Sequence, residues 1–75
     1  MRTPATHYLV IFEKSSSGYG AYVPDLPGCV AAGSTRAIVE ELIREAIVFH
    51  VEGLELEGLP VPEPASEAME VVFAS

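Results

Sequence analysis

Apolar positions along this chain gather into three short clusters, one long helical repeat and a closing cluster, punctuated by glycine, proline and serine. Thr6 to Glu13 (Thr-His-Tyr-Leu-Val-Ile-Phe-Glu) is dense in β-branched and aromatic residues and predicts a strand over 6–13. His7, Leu9 and Ile11 fall on one face of it and Tyr8, Val10 and Phe12 on the other, both apolar in the middle. One face is therefore expected to pack on a helix, and the other to need a second cover. Lys14-Ser15-Ser16-Ser17-Gly18 reads as a polar hairpin loop, and Tyr19 to Val23 as a returning strand over 19–23. Val23-Pro24-Asp25-Leu26-Pro27-Gly28-Cys29 cannot be a central strand, because its prolines fix φ and lack donors; it predicts a rigid, shaped corner. Cys29-Val30-Ala31-Ala32 follows as a third strand over 29–32, ended by Gly33.

The helical repeat is strong. Val39, Leu42, Ile43, Ala46, Ile47, His50 and Leu54 recur three and four apart, predicting a helix over 35–57 that Ser34 or Thr35 starts and Gly58 ends. Ile38, Val48, Phe49 and Val51 are apolar outside that stripe, the mark of a helix buried on more than one side. So short a chain lacks the material to cover it twice, so these four residues are the expected oligomer interface. Leu59-Pro60-Val61-Pro62-Glu63-Pro64 imposes an extended strap. Met69 to Phe73 predicts a last strand over 69–73, set beside the first by a right-handed crossover. The expected architecture is one α+β domain over residues 1–75, of order β-β-β-α-β, with a three- to four-stranded sheet on one long helix.

Composition sharpens this picture. A 75-residue chain buries only about 60% of its unfolded surface, and small domains often make up the shortfall by disulfides, metals or self-association. One cysteine excludes an internal disulfide, and no CxxC or HxxxH pair is present, which leaves self-association as a homodimer or homotetramer. Four basic against eleven acidic residues give a net charge of −7, which repels nucleic-acid phosphates and suits a basic protein partner. No apolar run approaches the length of a membrane span and the N-terminus lacks a signal-peptide core, so the expected location is cytoplasmic.

Candidate chemistry is sparse. Asp25 is the sole aspartate, the glutamates lie mostly along and beyond the helix, and His7 and His50 sit on apolar stripes. Cys29 has apolar neighbours and no activating cation near it in sequence. No metal, cofactor or catalytic constellation is expected.

Tyr8 to Phe12, the run Gly18-Tyr19-Gly20-Ala21-Tyr22-Val23-Pro24-Asp25-Leu26-Pro27-Gly28-Cys29, Gly33-Ser34-Thr35, Glu45-Ala46-Ile47 and Gly58 to Pro64 together resemble the HicB antitoxin family over roughly residues 6 to 73. The resemblance implies a partly degraded ribonuclease-H-like fold without activity, since the strands offer only Glu13 and Glu70 as carboxylates. It also implies neutralisation of HicA toxins, small basic ribonucleases that cleave messenger RNA. Many members continue into a DNA-binding helix-turn-helix or ribbon-helix-helix segment. These residues contain none, so a stand-alone module without direct nucleic-acid binding is expected. Arg36-Ala37-Ile38-Val39 also departs from the family's acidic first helical turn.

The functional expectation is a non-catalytic module that blocks a small basic toxin. Tyr19, Tyr22, Asp25 and Leu26 are the expected contacts, with Glu40, Glu41, Glu45 and Glu52 supplying charge complementarity. An orphan homo-oligomeric structural domain without a toxin partner is the alternative, and a residual nuclease the least favoured.

Overall fold

The structure, a computed structural model, describes residues 7–74. Strands β1 (Ile11–Ser15), β2 (Gly18–Tyr22) and β3 (Val30–Gly33) precede helix α1 (Arg36–Leu56). The sheet is antiparallel throughout, in the order β1-β2-β3. A two-residue turn, Ser16-Ser17, joins β1 to β2, with Ser15 opposite Gly18 and Ile11 opposite Tyr22. The expected loop was longer; Lys14 and Ser15 extend the ladder instead.

At its other end β1 begins at Ile11, later than the expected 6–13. Continuing the register would set Val10 opposite Val23 and Leu9 opposite Pro24. The Val23 N–H is already donated to the Cys29 carbonyl at 3.1 Å, and proline has none to give. The ladder therefore stops where the corner starts; Thr6 lies outside the described residues.

The corner is two consecutive turns. Leu26 N–H donates to the Val23 carbonyl at 3.0 Å and Cys29 N–H to the Leu26 carbonyl at 3.0 Å. Pro24 and Pro27 each occupy the second position of their turn, where a φ near −65° is wanted. Gly28, third in its turn, has φ 87°, the positive value a type II turn demands and a side chain resists. Cys29 thus belongs to the corner, and β3 starts one residue later than expected.

Helix α1 is capped at both ends. Thr35 Oγ1 accepts from Ile38 N–H at 3.2 Å. At the far end Leu59 N–H donates to the Leu54 carbonyl at 2.9 Å and Gly58 N–H to the Glu55 carbonyl at 3.1 Å, the paired bonds of a Schellman motif. The helix packs on one sheet face, and the core is small: Ala21, Val23, Leu26, Cys29, Val39 and Ile43. Tyr8, Val10, Phe12 and Tyr19 pack around it half-buried. After Leu59 the described residues have no regular secondary structure. The strand expected over 69–73 is not formed, because Met69 to Phe73 has no ladder partner.

Candidate protein-binding surface

Asp25 was expected to offer its carboxylate to a partner, but both of its oxygens are used within the chain. Oδ2 accepts from Ala65 N–H and Ser66 N–H, each at 3.0 Å, and Oδ1 accepts from the Ser66 hydroxyl at 2.9 Å. The Ala65 bond, then the Ser66 backbone and hydroxyl bonds, hold the Asp25 carboxyl below its ordinary range against a smaller desolvation effect. The two turns of the corner aim this carboxylate at the strap, forty residues on. Tyr8 adds a second tie by donating its hydroxyl to the Pro62 carbonyl. Burial first, then the Asp25 and Glu63 charges, push the Tyr8 phenol up, so it stays a donor at neutral pH. Corner, β1 lead-in and strap are fastened as one unit.

Leu26 likewise departs from the expectation. It is 0% exposed, and its side chain anchors the corner to the core. Tyr19 and Tyr22, three apart in β2, fall on opposite faces of the sheet. Tyr19 is half-buried on the helix side, packed against the core. Tyr22 is 39% exposed on the outer face, where the register aligns it with Ile11 and Val30 in one apolar row. Of the four expected contacts, Tyr22 alone presents its ring outward.

The helix carries a second surface. Ile38, Leu42, Phe49 and Leu56 are exposed, with Phe49 at 79%. At 3.6 residues per turn they lie within about 40° of one another, roughly 110° from the buried stripe of Val39 and Ile43. Leu42, counted with the core stripe from spacing alone, belongs to this outer seam. Glu41, Glu45 and Glu52 border the seam on the side away from the sheet. Val48 is exposed on a different flank, and Val51 is half-buried against the core, so the expected interface set splits. Leu56 and the seven-residue spacing 42–49–56 were visible in the sequence and went unused, because apolar residues occur on nearly every side of this helix.

A cleft of about 470 Å³ opens between the free edge of β1 and α1. Tyr8, Val10, Phe12, Ile43 and Ile47 make its apolar lining. Arg36 stands over the Phe12 ring, 4.2 Å from its centre, and its Nε meets Glu40 Oε2 at 3.3 Å. Arg44 and His7 complete the rim. Burial pushes the Cys29 thiol up. Among the described residues, no group of three or more His, Cys, Asp or Glu side chains could hold a metal ion. None of the described helices is long and apolar enough to cross a membrane.

Comparison with known proteins places this geometry. An uncharacterised 14.9 kDa protein of Haemophilus phage HP1 is 40% identical over 62 residues, covering 80% of this chain and 47% of the phage protein. The chain thus spans about half the length of that relative. A UPF0150 protein of Thermoplasma acidophilum is 35% identical over 65 residues, covering 85% of this chain and 94% of its own. Among solved structures, a chain of the HicA3 and HicB3 toxin-antitoxin complex superposes with a TM-score of 0.68 at 37% identity, over 80% of this chain and 70% of that one. The profile of the HicB-like antitoxins of bacterial toxin-antitoxin systems matches residues 8–74. By that match across nearly its whole length, the chain belongs to the HicB-like antitoxin family.

Proposed function

We propose that this chain is a non-catalytic, cytoplasmic protein-binding domain that neutralises a small, basic, messenger-RNA-cleaving toxin of the HicA kind by covering its working face. The observation that carries the reading is the exposed seam Ile38–Leu42–Phe49–Leu56 bordered by Glu41, Glu45 and Glu52. An apolar ridge edged with carboxylates suits a partner whose own apolar patch is ringed by lysine or arginine. The net charge of −7 would speed encounter with such a partner and make it salt-sensitive. Desolvated anchors set the affinity, and Phe49 and Tyr22 are the candidates. Asp25 and Leu26 act from inside, by fixing the corner that presents Tyr22; Tyr19 supports the sheet beneath. The kinship to ribonuclease H and the reading of residues 1–75 as one domain belong to this proposal, supported by the family.

The exposed helix residues Ile38 and Phe49 of the seam, with Val48 on the neighbouring flank, favour a second reading, an orphan oligomer that buries them against its own copies. Co-expression with a HicA-like toxin, followed by affinity capture at low and high salt, separates the two. Growth rescue and a toxin complex weakened by salt support neutralisation. No rescue, with only copies of this chain recovered, rejects it.

A further inference from the structure

Past Ser66 the chain leaves the body. Met69, Val71, Val72 and Phe73 are all exposed, Val72 to 97%, and none of them lines the cleft beside β1. The strap that carries this arm is nevertheless pinned, since Asp25 holds Ala65 and Ser66 and Tyr8 holds Pro62. The arm therefore projects from a fixed root. The Cα radius of gyration, 14.6 Å, exceeds the roughly 11 Å expected of a compact chain this long, consistent with such a projection.

The body carries a vacancy of matching character. Among the described residues β1 pairs with β2 alone, and its other edge is open. That edge continues through the half-buried Tyr8, Leu9 and Val10, and although Glu13 and Lys14 charge its far half, residues 8–12 carry neither proline nor charge to protect it. Beside it the cleft is lined by the half-buried Tyr8, Val10, Phe12 and Ile47 over the buried Ile43, with Arg36 and Arg44 on the rim. The arm reads Glu67-Ala68-Met69-Glu70-Val71-Val72-Phe73: β-forming, apolar, and acidic where the rim is basic.

We propose that Met69–Phe73 of one copy adds as a fourth strand to the β1 edge of a second copy, seating its apolar side chains in that copy's cleft. Each copy has one arm and one open edge, so reciprocal exchange closes a two-fold dimer with no edge of β1 left over. Five residues span about 17 Å, the length of β1 itself. Two arms seated in two clefts would bury on the order of 2,000 Å², the upper part of the range for stable interfaces. Met69, Val71 and Phe73 alternate onto the face of the added strand that meets the cleft, and Glu70 and Val72 onto the outer face. This dimer does not use the helix seam and requires no toxin, so it stands or falls apart from the function proposed above.

The test uses the full chain alone, without toxin. Sedimentation equilibrium gives the dimer dissociation constant for wild type and for Val71→Glu/Val72→Glu, which places a charge on both faces of the arm and leaves the core untouched. The expected result is a wild-type dimer and a variant weakened by roughly thirtyfold or more, the scale of losing one buried anchor. A mixed sample of labelled and unlabelled chains then reports contacts between copies, and the Met69 and Val71 methyls, which share the face turned to the cleft, should show intermolecular cross-peaks to the Phe12 and Tyr8 rings. A monomeric wild type overturns the proposal. So do a dimer indifferent to the charged arm, and arm cross-peaks found only within one chain. Phe49→Asp, which alters the seam alone, should leave this dimer intact; a dimer lost in Phe49→Asp and kept in the arm variant also overturns it.

Discussion

Replacing Leu26 by alanine removes an isopropyl group from a side chain that is 0% exposed and lies where the two turns of the corner meet. The Val23–Leu26 and Leu26–Cys29 hydrogen bonds hold the backbone on both sides, so the site has little room to collapse around the missing group. Leucine-to-alanine changes of this kind cost about 2–5 kcal/mol, more where the cavity persists, and a value of about 3–4 kcal/mol is expected here. At roughly 0.05–0.15 kcal/mol per residue, a chain of this length holds about 4–11 kcal/mol in all. The change would thus remove a third or more of the total and lower Tm by more than about 10 °C. Leu26→Met, which keeps the volume, should cost under about 1.5 kcal/mol. Urea unfolding at one fixed protein concentration measures both, the concentration being fixed because association adds apparent stability. A loss below about 1 kcal/mol for Leu26→Ala would refute the corner as a core element. Lost partner binding in a variant of wild-type stability would restore Leu26 as a direct contact.

Other outcomes follow from the same structure. Asp25 sits below its ordinary value of 3.8, so its stabilising effect is complete above that value and is lost as pH falls through the depressed folded value. The protection of the Ala65 and Ser66 amides against hydrogen exchange, taken relative to the intrinsic rate at each pH, should therefore fall toward acid in wild type and already be lost at neutral pH in Asp25→Ala; unchanged protection in that variant would remove the latch. Gly18→Ala should destabilise by about 1–3 kcal/mol in thermal unfolding, since φ is 152° and a Cβ would sit 2.3 Å from the Gly33 carbonyl oxygen. Phe49→Asp should change stability by less than about 0.5 kcal/mol yet weaken capture of a basic toxin; equal capture by calorimetry would exclude the seam.

Local chemistry was legible in the sequence and distant pairing was not. The corner could be read because Pro24, Pro27 and Gly28 fix φ by covalent and steric means, independent of anything else in the fold. The ends of α1 could be read for the same reason, from Thr35 and Gly58. Leu42 was misplaced because spacing reports that a helix has an apolar face, while the sheet decides which face is covered. Asp25 looked like a docking charge because its partners, Ala65 and Ser66, lie forty residues away and donate through backbone N–H groups that no sequence pattern marks. Met69 to Phe73 has the composition of a strand, but composition supplies no edge to pair with.

These misreadings share one physical cause. Nearly half of the residues are hydrophobic, 49%, whereas six residues make up the buried core. Much of the surplus lies in the row Ile11–Tyr22–Val30, the helix seam, and the arm. A chain with that much uncovered apolar surface would ordinarily aggregate. The net charge of −7 opposes association of like copies at long range while leaving short-range apolar contact favourable. Contacts that also neutralise charge are then favoured over indiscriminate ones. Glu45 and Glu52 beside a basic toxin would do this at the seam. The net negative charge thus acts as a selector. It leaves the three apolar surfaces available to partners that bring a matching positive charge.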